Sequence, residues 1–320
     1  MRNGMLWRMG AVLAVCQLCG CNLAPTYVRP DAPVPDRFPP SAAEGALAPG
    51  IPWQRFFHDP VLRDLIGQAL LYNRDLAGAA ARIEQARAQF RTQRSQRLPG
   101  LDASASGQRL RTPLSAADGA PLVTVDSYAV QVGIPSFELD FWGRVANLSE
   151  VARRQYLATE EARNTAELSL VANVAASYYA VRASDEGIVL AERSLASRNE
   201  TLELAQLRMD AGLTSSIDFN QSYALVTQTE LQLAQLRRTQ GQALQLLQFL
   251  VGAPLPPSLP PGLPLDPNAQ LTRLDPGLPS ALLEARPDVR LAEHQLRAAN
   301  ANIGAARALY FPIIALTGAG

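Results

Sequence analysis

The alternation of apolar and polar residues changes period along the chain, and one region has a period of two. Residues 101–108 alternate Leu, Ala, Ala and Gly with Asp, Ser, Ser and Gln, and residues 128–134 alternate Tyr, Val, Val and Ile with Ala, Gln and Gly. This period predicts two β-strands, joined by a loop over residues 111–121 that is rich in Ala, Pro, Asp and Gly. Each strand has about ten residues, the length that a tilted strand needs to cross the hydrocarbon layer of a bilayer. A hairpin in a soluble protein is the alternative.

Helical periodicity dominates the sequence on both sides of this region. Before it, apolar residues at helical spacing predict two helices over residues 53–97 that are separated by a break at Asn73. After it, no proline occurs between Pro135 and Pro254. A helix over residues 145–183 alone would measure on the order of 60 Å, several times the usual length.

Apolar residues also recur every seven positions within this long helical region. Such heptad spacing predicts coiled-coil packing, and small alanines near the stripe would let neighbouring helices approach closely. The heptad positions are Ile188, Leu195, Leu202 and Met209 in one segment, and Leu236, Ala243 and Leu250 in the next.

A short break separates the two heptad segments near residues 211–216. Gly212 can adopt the left-handed conformation that ends a helix. Ser215, with Asp218 three positions later, forms a capping-box sequence for the helix that follows. The break therefore predicts the tip of a tight αα-hairpin.

An internal repeat relates two parts of the chain, because residues 73–107 match residues 286–320. Identities such as Asp75 with Asp288 are joined by conservative apolar matches. They predict one helix-into-strand unit that is used twice. The second copy stops at Gly320, in the middle of its strand, so we expect an incomplete second repeat. Because strands exposed to lipid cannot leave backbone groups unpaired, we also expect strands from other copies and an oligomer.

The first 20 residues have the features of an export signal. Basic residues precede an apolar run over residues 9–18, about half the length of a membrane-spanning helix. The run ends in Leu-Cys-Gly-Cys, which resembles the bacterial lipobox, so we expect Cys21 to carry a diacylglycerol and an N-acyl chain. Asn22 after this cysteine favours sorting to the outer membrane. A redox or metal pair formed by Cys16 and Cys19 is the alternative.

Composition argues against several other classes of function. All 29 basic residues are Arg and 29 acidic residues balance them, so the net charge is zero and a nucleic-acid partner is not expected. Only two His and three Cys are present, which predicts no metal site. His58 and His294 have no nucleophile nearby in the sequence, and the carboxylate pair Glu160–Glu161 fits a solvated helix face. We therefore predict that the chain is not an enzyme.

Several motifs spread over nearly the whole chain carry a family resemblance. The chain resembles the outer membrane factor lipoproteins of tripartite RND-type efflux systems, in the TolC-like, NodT-type outer membrane efflux family. The motifs are CNLAPTYVRP at 21–30, Trp53 with FFHDP at 56–60, NRDL at 73–76, FELDFWGR at 137–144, AGLT at 211–214, RPDV at 286–289, ANANIG at 299–304 and FP at 311–312.

The resemblance implies a homotrimer in outer-membrane lipid, lipid-anchored and facing the periplasm, that works with a periplasmic adaptor protein and an inner-membrane pump. It implies a passive exit duct for drugs, metals or other small molecules, with no cofactor other than the lipid on Cys21. An exit duct for type I protein secretion, or a truncated periplasmic lipoprotein without a pore, are the alternatives. The tip residues expected to contact the adaptor are Arg208, Ala211, Gly212, Leu213, Thr214 and Ser215.

The predicted fold class is an α+β membrane protein. It combines a long α-helical coiled-coil periplasmic barrel with transmembrane β-strands contributed to a shared trimeric β-barrel, in two structural repeats of which the second is incomplete. The predicted segments are a signal peptide (1–20), a lipid-anchored Pro-rich linker (21–52), periplasmic helices of repeat 1 (53–97), a transmembrane β-hairpin (98–136), long periplasmic helices with the tip near 211–216 (137–252), a Pro-rich linker (253–277), helices of repeat 2 (278–310) and the start of a third strand (311–320).

Overall fold

The computed structural model is mostly helical, with one three-stranded sheet. It describes residues 22–31, 46–47, 51–113, 121–256, 258–266, 271–272, 274–275 and 279–319. The helices are α1 (Trp53–Phe56), α2 (Pro60–Tyr72), α3 (Arg74–Ser95), α4 (Arg144–Asp210), α5 (Ser216–Val251), α6 (Pro279–Ala285) and α7 (Pro287–Ala308). The strands are β1 (Ala46–Leu47), β2 (Asp102–Pro113), β3 (Leu122–Glu138), β4 (Leu274–Asp275) and β5 (Ala315–Ala319). Among the helices so described, none is both long enough and apolar enough to cross a bilayer.

Helices α4 and α5 pack against each other in antiparallel orientation. The Ser177 hydroxyl donates to the Ala243 carbonyl at 3.1 Å, and Arg198 donates to the Leu225 carbonyl at 2.7 Å. The predicted heptad positions of α5 are half-buried, and Leu236 lies beside Gly187 of α4. Helix α5 buries Val226, Thr229 and Leu233 on one side of these positions, and Leu247 and Val251 farther along. Coiled-coil packing is therefore confirmed, and α4 continues past residue 183 as a single helix of 67 residues.

The chain divides into two compact units, and a hydrophobic core lies in the unit formed by residues 32–81 and 161–289. Apolar positions of α2 at three- and four-residue spacing all face this core, which explains why a short helix is stable here. Asp59 caps α2, because its Oδ1 accepts from the Val61 N–H at 2.9 Å. The buried side chains come from α2 (Leu62, Leu65, Ile66, Ala69), α4 (Leu170, Val171, Val174, Ala175, Tyr178, Val181) and α5 (Leu247, Val251).

The second Pro-rich segment is more than the linker that its composition predicts over residues 253–277. The backbone N–H of Leu263 donates to Oδ2 of Asp59 at 2.9 Å, and Leu255 and Leu259 pack against the core. The Tyr178 hydroxyl donates to the same Oδ2 at 2.8 Å. A buried carboxylate with several donors therefore holds this segment onto the helices.

The sheet lies in the other unit, formed by residues 1–31, 82–160 and 290–320. Strands β2 and β3 pair antiparallel in one uninterrupted register, from Asp102 opposite Gly133 to Pro113 opposite Leu122. Strand β5 pairs antiparallel with the other edge of β3, with a bulge between Ile134 and Phe137. Pro135 lies in this bulge, where its missing N–H removes no ladder hydrogen bond. The strands are longer than predicted: residues 111–113 belong to β2 instead of the loop, and β3 extends past 136 to Glu138.

The two copies of the repeat have matching element bounds. Helices α3 and α7 each have 22 residues. Strand β2 begins seven residues after α3 ends (102 − 95), and β5 begins seven residues after α7 ends (315 − 308). The same helix-into-strand unit is therefore used twice, as the sequence predicts.

Candidate functional site

The two faces of the sheet differ in polarity, and both are exposed. Side chains on successive residues of a strand point to opposite faces, so the register assigns each residue to one face. The apolar face consists of Ala103, Ala105, Gly107, Tyr128, Val130, Val132, Ile134, Phe137 and Leu316. The polar face, of polar or small residues, consists of Asp102, Ser104, Ser106, Gln108, Ser127, Ala129, Gln131, Gly133 and Thr317.

The apolar face begins and ends with aromatic side chains. The Tyr128 ring lies over Gly107, where a Cβ would be only 3.2 Å from its Cδ1 atom, and Phe137 lies at the other end. From Tyr128 to Phe137 the strand covers about 30 Å, or about 23 Å along the membrane normal at a tilt of about 40°. That height is close to the apolar band of a transmembrane strand, about 25 Å between two aromatic girdles.

More aromatic side chains lie where the strands join the helices. Trp142 and Phe311 stack with ring centroids 4.5 Å apart, and Trp142 Nε1 donates to the Pro312 carbonyl at 3.2 Å. Tyr310 beside them is 89% exposed. Amphipathic rings at this position suit the interface between hydrocarbon and water.

The end of α4 has the backbone geometry of a Schellman motif. The Leu213 N–H donates to the Arg208 carbonyl at 2.8 Å, and the Gly212 N–H donates to the Met209 carbonyl at 2.9 Å. Gly212 has a φ of +72°, the left-handed conformation that this motif needs at its C′ position. The prediction that Gly212 adopts the left-handed conformation at the end of a helix is confirmed.

The start of α5 has the predicted capping box. The Asp218 N–H donates to Ser215 Oγ, and the Ser215 N–H donates to Asp218 Oδ2, both at 3.4 Å. The Thr214 hydroxyl also donates to Asp218 Oδ2, at 2.5 Å. Hydrogen bonds from Thr214, and then from the backbone and hydroxyl of Ser215, hold the pKa of the Asp218 carboxyl below its ordinary value.

The tip between these helices presents apolar side chains to its surroundings. Leu213 is 78% exposed and Ile217 is 66% exposed. The Schellman motif and the capping box beneath them are formed by hydrogen bonds within the tip itself, so this turn is ordered by its own residues. The structure therefore brings Arg208, Ala211, Gly212, Leu213, Thr214 and Ser215 together in one turn, and their contact with an adaptor stays a prediction.

Two residues of the tip are absent from the sequence-based set. Ile217 is apolar but lies outside the heptad positions of α5, a signal that could have identified it. The sequence predicts Asp218 only as part of the helix cap. Its carboxylate also accepts a hydrogen bond from the Thr214 hydroxyl, which helps to order the turn.

The N-terminal strap, defined here as Asn22–Asp31, packs against α7 instead of acting as a free linker. Arg29 Nη2 donates to Glu293 Oε2 at 2.5 Å, and Asn300 Nδ2 donates to the Pro25 carbonyl at 2.8 Å. The Arg297 guanidinium lies 4.9 Å from the centre of the Tyr27 ring. The sequence predicts a Pro-rich linker over 21–52, and in this part the polar and ring contacts attach the extended chain to α7, which its composition did not indicate. Cys21, the predicted lipidation site, lies outside the described residues.

The candidates for catalysis occupy structural contacts. His58 Nε2 lies 3.1 Å from the Thr272 hydroxyl. Glu161 is buried and accepts from Asn164 at 3.2 Å, so the expectation of a solvated face is wrong for this carboxylate. Within the described ranges, no three His, Cys, Asp or Glu side chains are placed to hold a metal ion.

Comparison with known proteins identifies the family. The sequence profile described as outer membrane efflux protein matches residues 65–253, more than half of the chain. The chain belongs to the outer membrane efflux protein family. The family resemblance predicted from the sequence motifs is therefore confirmed. Members of this family are channels and not enzymes, in agreement with the prediction from composition.

Several outer membrane efflux proteins align with most of this chain. It is 40% identical to outer membrane protein OprJ of Pseudomonas aeruginosa over 312 residues, which cover 97% of this chain and 65% of OprJ. It is 38% identical over 306 residues to the probable efflux pump outer membrane protein TtgC of Pseudomonas putida, covering 94% of this chain and 63% of TtgC. The chain thus spans slightly less than two thirds of these curated relatives.

A solved outer membrane channel has the same fold. The open-state MtrE outer membrane channel of Neisseria gonorrhoeae superposes with a TM-score of 0.81 at 37% identity, covering 93% of this chain and 66% of that chain. The predicted fold class of an efflux channel protein, with long helices and membrane strands, is confirmed.

Proposed function

We propose that this chain forms part of the outer-membrane exit duct of a tripartite efflux pump, a passive channel for drugs, metals or other small molecules. The observation that carries the proposal is the three-stranded ladder with two exposed faces of opposite polarity. Such a ladder suits a wall with lipid on one side and water on the other. In a soluble protein the apolar face would be buried against a core.

The edges of the ladder support assembly from several copies. Within the described residues, the outer edges of β2 and β5 pair with no further strand. Lipid offers no hydrogen bonds to such edges, so strands of sister copies are needed to close the wall. A homotrimer, the arrangement that the family resemblance implies, would provide them.

Exposed apolar residues on α4 and α5 support the same assembly. They lie outside the heptad contact between the two helices, where water would otherwise cover them. Packing against sister helices would bury them. They include Leu190, Leu204, Leu207, Leu231 and Phe249, which are 47–71% exposed.

A pair of matched substitutions on one ladder tests the proposal by planar-bilayer conductance. Val132 on the apolar face and Ser104 on the polar face lie on neighbouring strands. Val132→Arg should abolish insertion and conductance, because Val132 is close to the middle of the apolar band, where an Arg on the lipid face costs about 2–4 kcal/mol. Ser104→Arg should still insert and should reduce conductance to cations. If the unchanged chain gives no channel, or if both variants behave alike, the proposed wall is wrong.

The tip is the surface that we propose for the periplasmic adaptor. Its exposed Leu213 suits an apolar contact with the tip of a partner helical hairpin, and its ordered backbone lowers the entropy cost of docking. Leu213→Asp should abolish cross-linking to the adaptor and leave trimer formation intact. Thr214→Ser, which keeps the hydroxyl bonded to Asp218, serves as the control. Unchanged cross-linking of the Asp variant would contradict the docking surface.

The names of the relatives favour efflux over type I protein secretion, because TtgC is named as an efflux pump protein. A periplasmic lipoprotein without a pore is distinguished by the conductance experiment above.

Lipidation of Cys21 is a separate part of the proposal. The strap that follows this residue is held on α7 by Arg29 and Asn300, which would keep an acylated N-terminus close to that helix. Replacing Cys21 with Ser should abolish incorporation of labelled palmitate. Labelling that persists in the Ser variant would refute the site without affecting the proposed channel.

A further inference from the structure

The polarity of the β2–β3 ladder reverses at the row formed by Arg109 and Asp126. Between this row and the helices, the apolar face has the residues defined above. Beyond this row, the apolar face becomes polar, because Arg111 pairs with Thr124 there. The polar face becomes apolar, because Leu110 pairs with Val125. The register has no bulge here, so the change lies in the sequence and marks a change of surroundings along one regular ladder.

The arginine of the reversal row, Arg109, forms an ion pair, and the next arginine on the same face, Arg111, is exposed. Arg109 Nε donates to Asp126 Oδ1 at 2.6 Å, and its Nη2 donates to Oδ2 at 2.9 Å. Arg111 lies on the same face two residues farther, about 7 Å along the strand. It is exposed, and no carboxylate in the described part of the chain forms an ion pair with it. This face therefore has one neutralised guanidinium and one that is available for a partner.

Membrane dimensions place Arg109 in the headgroup layer and Arg111 just outside it, within reach of the headgroups. Tyr128, at the end of the apolar face, lies two residues from Asp126 on the same face of the ladder. At a tilt of about 40°, Arg109 lies about 5 Å beyond Tyr128 along the membrane normal, and Arg111 about 10 Å beyond it. The polar layer outside the hydrocarbon is about 5–7 Å thick, and a long Arg side chain reaches back towards it.

We propose that Arg111, with Arg109 beside it, binds the phosphate groups of anionic lipids in the leaflet at the loop end of the hairpin. Guanidinium groups bind phosphate in a bidentate geometry, so two of them beside a lipid-facing strand fit such headgroups by charge and by shape. Asp126 limits the site, because it occupies the donors of Arg109. The inference rests on the proposed function, which places the apolar face in lipid.

Titration of the detergent-solubilised full chain with diphosphoryl lipid A tests the site. Arg111→Gln should weaken the apparent affinity about fivefold, as expected for one arginine near an anionic surface. Asp126→Asn should strengthen it, because it releases the Arg109 guanidinium. Arg238→Gln, at an exposed arginine of α5, is the control and should leave the affinity unchanged. High salt should weaken binding of the unchanged chain.

Two results would overturn the inference. One is an Arg111→Gln variant that binds lipid A as tightly as the unchanged chain, which would mean that Arg111 has another partner, such as a carboxylate of a sister copy. The other is full displacement of lipid A by inorganic phosphate at low concentration, which would indicate a site for the free anion. Either result leaves conductance intact, whereas a chain that inserts into no vesicle, even of phosphatidylcholine alone, would refute the proposed function.

Discussion

Two glycines with the same backbone conformation make a sharp test of how these helix ends are stabilised. Gly212 at the end of α4 has a φ of +72°, and Gly252 at the end of α5 has a φ of +73°. Their surroundings differ. A Cβ at Gly212 would have no atom within 4 Å, whereas a Cβ at Gly252 would lie 2.6 Å from the Tyr72 carbonyl oxygen and 3.2 Å from the Asn73 Cα.

The dihedral cost of alanine is therefore common to both sites, and the steric cost is present at only one. An alanine in the left-handed region costs about 1–2 kcal/mol relative to glycine. At Gly252 the neighbour is backbone, and Asn73 is tied to this helix end because its Nδ2 donates to the Leu250 carbonyl at 2.8 Å. Displacing it should cost about 1–3 kcal/mol more, the range for overpacked sites. We therefore expect Gly252→Ala to destabilise the chain by about 1–3 kcal/mol more than Gly212→Ala.

Thermal unfolding in detergent, followed by helical circular dichroism, measures the difference. Each kcal/mol should lower the midpoint by on the order of 2 °C in a chain of this size. Gly212→Asn is the control for the dihedral argument, because asparagine tolerates the left-handed region better than alanine. It should unfold close to the unchanged chain.

Equal midpoints for Gly212→Ala and Gly252→Ala would refute the reasoning, since they would mean that the close approach at Tyr72 has no energetic consequence. A Gly212→Asn variant as unstable as Gly212→Ala would contradict the dihedral argument.

Three further predictions concern other contacts. Tyr178→Phe should lower stability by about 1.5–3 kcal/mol in thermal unfolding, because it removes a hydrogen bond to a buried carboxylate. Burial, and then that hydrogen bond, raise the pKa of the Tyr178 hydroxyl, so this pKa should fall when Asp59 is replaced by Asn. A spectrophotometric titration without such a fall would contradict the contact. The pKa of Asp218 is below its ordinary value, so its cap should contribute stability above about pH 4 and lose it as the pH falls through the lowered pKa. The protection factors of the tip amides, that is, their exchange rates divided into the intrinsic rates at each pH, should therefore fall in acid, but not in Asp218→Asn, where the carboxyl is already absent. Gly304→Ala should displace the N-terminal strap, because its Cβ would lie 2.7 Å from Ala24 atoms, and chymotrypsin should then cleave after Tyr27 faster. Gly67→Ala, with open space around the new Cβ, should leave that rate unchanged.

Local sequence patterns predicted the elements and much of the tip. The period of two along residues 101–108 and 128–134 reflects side-chain alternation within one strand, and the heptads through Ile188 and Leu236 reflect repeats within one helix. Gly212 and Ser215 were predicted correctly because a helix end is decided by a few consecutive residues. These features need no information from distant parts of the chain.

Other features depend on residues far apart in the sequence, and only the tertiary structure decided them. The composition of the Pro-rich segment near Leu263 predicts only a linker. In the structure its Leu263 N–H donates a hydrogen bond to Asp59, about two hundred residues earlier, and this contact attaches the segment to the helices. The strap packs on α7 through Arg29 and Glu293, which no local pattern pairs.

The amino-acid order by itself determined where the chain is helical, where it is extended and where it turns, because each of these is a property of neighbouring residues. Strand register was decided only in three dimensions, because it depends on which distant residues hydrogen-bond. That register places Arg109 opposite Asp126, and it is what separates an apolar face from a polar one.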